Sequence, residues 1–103
     1  MSVKRTVHLI DDDVSILNST ASFLSAKGFH VETYNSALKF LESITPSLTG
    51  CIVTDVRMTG MTGIELVVNL RERRISIPII IITAHADISL AIKAMRHGVI
   101  YMM

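Results

Sequence analysis

At 103 residues, with half of them hydrophobic and only 18% charged, the chain has material for one core and not for two. Ten basic residues against nine acidic ones leave a net charge of +1, which removes the electrostatic case for nucleic acid or an anionic membrane as a direct partner. A lone cysteine, Cys51, rules out a disulfide within the chain, and no apolar run approaches the roughly 20 residues that span a bilayer.

Lys4 and Arg5 are followed by only a short apolar-leaning stretch before three acids, so no signal peptide is expected there. A soluble, cytoplasmic protein with no membrane contact is expected. Val7 to Ile10 reads as a first strand, interrupted by His8 and closed by Asp11, Asp12 and Asp13. From Val14 to Lys27 the period becomes helical: Leu17, Ala21 and Leu24 form a stripe, widened by Ile16, Thr20 and Phe23, and Gly28 supplies the stop. His30 to Tyr34 predicts a second strand at an edge. Ser36 caps a second helix with Ala37, Leu38, Leu41 and Ile44 on its buried face. Cys51 to Asp55 is an apolar third strand with a carboxylate at its far end, and Cys51 within it reads as a small buried hydrophobe.

Thr62-Gly63-Ile64-Glu65 matches a capping box opening a third helix, whose inner face is expected to carry Ile64, Val67, Val68 and Arg71, flanked by Leu66 and Leu70. Ile77 to Thr83 predicts the fourth strand, with Pro78 at its start. Asp87 caps a fourth helix with Ile88, Ala91, Ile92 and Met95 inward and Gly98 at its stop, and Val99 to Met103 is a fifth strand.

This alternation predicts an α/β fold, a doubly wound, mostly parallel five-stranded sheet with right-handed crossovers and helices on both faces, and the flavodoxin-like order 2-1-3-4-5 is one of the common orders of such sheets. Ligands bind such sheets at the carboxyl ends of the strands. There the chain places Asp11 and Asp12 after the first strand, Asp55 after the third and Thr83 after the fourth, with Tyr101 inside the fifth. Strands one and three are neighbours in that order, so three carboxylates converge. They repel one another, and the site must raise a pKa or recruit a cation. A hard ion such as Mg²⁺ suits oxygen ligands, and beside it Asp55 can act as a nucleophile toward a phosphoryl group while the Thr83 hydroxyl donates to it.

Val7-His8-Leu9-Ile10-Asp11-Asp12-Asp13, Val53-Thr54-Asp55-Val56-Arg57-Met58, Ile82-Thr83-Ala84 and Tyr101 resemble the motifs of response-regulator receiver domains of two-component signalling. Arg57-Met58 and Thr83-Ala84-His85-Ala86-Asp87 look like the FixJ-like subfamily, and the resemblance covers residues 1–103. It implies a CheY-like fold and a phosphorylation switch, not an enzyme in its own right. Asp55 becomes the phosphoacceptor. Asp12 ligates Mg²⁺ directly and Asp11 mainly through water, and the Arg57 backbone carbonyl completes the protein ligands. Thr83 becomes the switch hydroxyl and Tyr101 the aromatic that follows it. The implied partners are a histidine kinase and an output domain, through which alone DNA would be met.

Two departures are visible. Thr59 stands where the family often has proline, which predicts a looser loop. The family's lysine and last helix fall beyond Met103, so a C-terminally incomplete domain is expected, with exposed sheet surface that favours a homodimer.

Other readings of the same residues exist. Asp11 to Asp13 alone could be a strand-end turn with Asp13 as a helix cap, and Thr83 alone a turn hydroxyl. A Mg²⁺-dependent phosphohydrolase with an aspartate nucleophile is an alternative, but its general acid would stand at the position of Arg57. A receiver acting as an unphosphorylated dimerisation module is a third. His8, His30, His85 and His97 lack metal-ligand spacing, Arg71-Glu72-Arg73-Arg74 reads as a solvated helix end, and Gly60-Met61-Thr62-Gly63 lacks the GK[ST] of a P-loop.

Overall fold

A computed structural model describes residues 5–45, 47–82 and 100–102. Its elements are β1 (Thr6–Ile10), α1 (Val14–Ala26), β2 (His30–Tyr34), α2 (Ala37–Ser43), β3 (Cys51–Asp55), α3 (Gly63–Glu72), β4 (Ile79–Ile82) and β5 (Ile100–Met102). All four strand pairings are parallel, in the order β2-β1-β3-β4-β5, which is the expected flavodoxin-like order. The fourth helix expected after Asp87 lies outside the described residues.

Local chemistry sets the helix ends where the sequence placed them. Asp13 Oδ1 accepts the Ile16 N–H at 3.1 Å, and Ser36 Oγ accepts the Lys39 N–H at 3.1 Å. At α3 the capping box is reciprocal, with Glu65 N–H donating to Thr62 Oγ1 and Thr62 N–H to Glu65 Oε1, both at 3.1 Å. Gly28, at φ 97°, takes the left-handed turn that ends α1. Arg71 Nη1 donates to the carbonyls of Ile75 (2.7 Å) and Ile77 (3.2 Å), so the first residue of the basic run ties α3 to the segment entering β4.

The main core lies between α2, α3 and one face of the sheet. Strand residues Ile10, Ile52, Ile79 and Ile81 meet Phe40, Leu66, Val67 and Leu70 there. Phe40, Leu66 and Leu70 are fully buried, and each such side chain contributes about 1.5–3 kcal/mol by leaving water. Val7, Leu9 and Leu17 are buried outside this cluster, on the face α1 covers. His8 is also buried. Its Nε2 donates to the Thr49 carbonyl at 2.8 Å and its ring packs beside Tyr34 and Phe40, so it is a satisfied packing residue.

Three expected faces differ in detail. On α1, Ile16 and Phe23 are exposed, and the Lys27 ammonium sits 5.4 Å from the Phe23 ring centroid. The stripe narrows to Leu17, which is buried, with Thr20, Ala21 and Leu24 partly covered. On α2, Leu38 is exposed and Phe40 is buried with Ala37 and Leu41. The i, i+3, i+4 set beginning at Ala37 thus faces the core, and the larger ring takes the interior. On α3, Leu66 and Leu70 are central rather than flanking, while Val68 is only partly covered. Cys51 is half-buried, and desolvation pushes its thiol pKa up, away from nucleophilic use.

Candidate functional site

Register decides what meets at the carboxyl edge of the sheet. Ile10 of β1 pairs with Thr54 of β3, so the next residue on each strand, Asp11 and Asp55, arrives at the same level on neighbouring strands. Asp12 follows Asp11 immediately. One carboxylate oxygen from each of Asp11, Asp12 and Asp55 lies within 4.8 Å of the other two. Among the described residues these three carboxylates form a group able to hold a metal ion.

Each carboxylate has its own support. Asp11 Oδ1 accepts the Asp13 N–H at 2.9 Å, so the residue that caps α1 also steadies Asp11. Asp55 Oδ1 accepts a long bond, 3.4 Å, from the Arg57 N–H, which ties Arg57 to the cluster. Asp12 Oδ2 accepts both the N–H of Thr59 (2.9 Å) and its hydroxyl (3.1 Å). Beneath Asp55, the buried Thr54 hydroxyl donates to the Asp55 carbonyl at 3.0 Å, so its polar atom is satisfied.

Burial pushes the Asp11 carboxyl above its ordinary pKa; the Asp13 N–H pulls the other way, and repulsion from Asp55, Asp12 and Asp13 adds to the rise. An acid raised in this way contributes stability while it is protonated, and that contribution fades as pH rises through its folded pKa, above the ordinary 3.8. Asp11→Asn should therefore flatten the pH dependence of stability in metal-free buffer and leave the protein at least as stable at pH 7. Urea unfolding at pH 4 and pH 7 measures this. A variant clearly less stable than the parent at pH 7 would contradict a repulsive cluster.

Two residues near the site were not assigned a place in it from sequence. Thr59, expected to loosen its loop, instead fastens that loop to Asp12. Gly63 N–H donates to the Val56 carbonyl at 2.9 Å, and a Cβ on Gly63 would lie 2.6 Å from the Asp55 carbonyl oxygen. The capping box announced the helix start but not this close approach. Thr83 lies outside the described residues, as does the Tyr101 side chain; the Tyr101 backbone, in β5, pairs with Ile81 of β4.

A cleft of about 160 Å³ beside the cluster is bordered by Ile16, Thr20, Val53 and Ile82 as well as Asp11 and Asp55. A larger cavity, about 350 Å³, opens where Gly50 and Pro78 lead into β3 and β4. That is the amino end of the sheet, its lining holds no carboxylate, and it is remote from the cluster. No helix among the described residues is long and apolar enough to cross a membrane.

The family model described as response regulator receiver domain matches residues 7–103. The transcriptional regulatory protein FixJ of Azorhizobium caulinodans is 44% identical over 92 residues, 89% of this chain and 44% of that protein. The crystal structure titled FixJ-N superposes with a TM-score of 0.86 at 39% identity, covering 97% of this chain and 82% of that one. Full-length FixJ from B. japonicum gives 0.88 at 35% identity, covering 99% of this chain and 50% of that one. The chain spans about half the length of the curated relatives it matches.

Proposed function

The chain belongs to the response regulator receiver domain family, and from that premise we propose that it is a phosphorylation switch with Asp55 as acceptor, Mg²⁺ as cofactor and a histidine kinase as donor. The observation that carries this reading is the convergence of Asp11, Asp12 and Asp55 within 4.8 Å at the carboxyl edge of β1 and β3. The donor set fits the ion, because Mg²⁺ prefers oxygen ligands, keeps several waters and needs only one or two protein carboxylates. Asp11 and Asp12 would hold it, with Asp55 and the Arg57 carbonyl. When bound, it supplies positive charge that offsets the repulsion between three carboxylates and an incoming phosphoryl group.

In the proposed reaction a carboxylate oxygen of Asp55 attacks phosphorus. The bond from phosphorus to the kinase histidine breaks and the imidazole leaves with its electron pair, giving an acyl phosphate. One carboxylate charge becomes roughly −1.5 to −2, with new acceptor oxygens beside the β4 end. Thr83 and Tyr101 are the residues assigned to read that change, Thr83 by hydrogen bonding to the phosphoryl group and Tyr101 by following it inward. The reading also includes a cytoplasmic location, a homodimeric state and DNA contact only through an output domain, since relatives of about twice the length are named transcriptional regulatory proteins. The hydrolase alternative is disfavoured by Arg57, which occupies the position where it would need a general acid.

Incubating the protein with a small phosphodonor, with and without Mg²⁺, tests the proposal. A mass gain of one phosphoryl group is expected only with Mg²⁺, and hydroxylamine should remove it as it removes acyl phosphates. Labelling that persists in chelator would refute the metal requirement.

A further inference from the structure

Thr59 is the residue at the site that the reading above leaves without a part. Its backbone N–H and its hydroxyl both donate to Asp12 Oδ2, at 2.9 and 3.1 Å. The partners are 47 residues apart, so the contact is the loop between β3 and α3 closing onto the end of β1. Asp12 is exposed, and an exposed aspartate ordinarily samples several rotamers. Two donors converging on one oxygen select one of them, and hydrogen bonds to a carboxylate are among the stronger kind.

The chemistry of the carboxylate then divides the labour. It has two oxygens with about four lone-pair directions. With Oδ2 engaged by both Thr59 donors, Oδ1 is left as the freer ligand atom for a cation shared with Asp11 and Asp55. We infer that Thr59 is a positioning residue for cation binding, holding Asp12 by one oxygen so that the other serves the three-carboxylate cluster. This rests on the metal reading above and goes beyond it, because it assigns cation affinity to a residue that touches no cation.

The side chain and the backbone contribute separately, which makes the inference testable in steps. Thr59→Ser keeps both donors. Thr59→Ala keeps only the N–H. Thr59→Pro has neither, since proline lacks the N–H as well. Outer partners of metal ligands are typically worth about 10–100-fold in affinity, and these bonds face solvent, so the low end applies.

Mg²⁺ is titrated calorimetrically into the full chain in each form, with Asp12→Asn as the control for the site. Thr59→Ser should bind as the parent does, Thr59→Ala about tenfold more weakly, and Thr59→Pro at least as weakly as Thr59→Ala. Melting curves in chelator should keep Thr59→Ser and Thr59→Ala close to the parent, separating positioning from a general loss of fold. If Thr59→Pro unfolds, the comparison of alanine with serine decides alone. Parent-like affinity in Thr59→Ala, or weak binding in Thr59→Ser, overturns the role of Thr59 and leaves the cluster as a Mg²⁺ site. No binding to the parent, or undiminished binding to Asp12→Asn, overturns the metal reading and the Thr59 role with it.

Discussion

Asp55→Asn should abolish phosphoryl labelling while leaving the fold intact. The substitution is nearly isosteric, and the carboxamide oxygen can still accept the 3.4 Å bond from the Arg57 N–H. What disappears is the anionic oxygen proposed to attack phosphorus, because a neutral amide does not form an acyl phosphate at useful rates. Removing one of three mutually repelling carboxylates should also leave thermal stability in chelator equal or slightly higher. Asp12→Asn makes an informative contrast. It weakens cation binding and slows labelling but keeps the acceptor, so labelling should recover partly at high Mg²⁺. Intact mass after a fixed incubation, with a melting curve for each variant, reads all of this. If Asp55→Asn labels as the parent does, Asp55 is not the acceptor.

Gly63→Ala should lower stability and disturb the site together. A Cβ there would lie 2.6 Å from the Asp55 carbonyl oxygen and 3.1 Å from Val56 Cα. Both neighbours are backbone, so neither can swing aside as a flexible side chain would. Either the start of α3 backs away, stretching the 2.9 Å bond from Gly63 N–H to the Val56 carbonyl, or the tip of β3 moves and takes Asp55 with it. Overpacking of this kind costs about 1–3 kcal/mol. At about 4–8 °C per kcal/mol for a domain of this size, a fall of about 10 °C in Tm is expected. Labelling should slow beyond what the lost folded fraction explains, since the proposed acceptor itself would be displaced. Thr62→Ala is the matched control: it removes the cap at the next residue, costs about 1 kcal/mol and pushes on nothing in β3. Its labelling, corrected for folded fraction, should match the parent. A Gly63→Ala protein as stable as the parent would show that the close approach relaxes without cost.

The Asp55 prediction draws on residues readable in the chain; the Gly63 prediction does not, and the difference has a physical origin. Asp13, Ser36 and the Thr62 to Glu65 pair act on N–H groups within three residues of themselves, so their spacing in sequence is their geometry in space. The alternation of elements and the handedness of crossovers made the sheet parallel, and the order came from the likeness to receiver domains. In that order Asp11, Asp12 and Asp55 fall on one edge of the sheet. Helix faces were legible only approximately. The periodicity placed Leu38 inward, yet Phe40 took the interior because burying the larger ring removes more apolar surface from water.

By itself, then, the chain determined which elements form among the described residues, where the caps of α1, α2 and α3 fall and which acids follow β1 and end β3, because all of these depend on neighbours within about one helical turn or on the period of apolar residues. Only the tertiary structure decided the pairing of Ile10 with Thr54, the contact of Gly63 with the Asp55 carbonyl and the bonds from Thr59 to Asp12 across 47 residues. Those depend on how packed elements abut, and no spacing along a chain encodes the distance between two strand ends once the sheet has closed around its core.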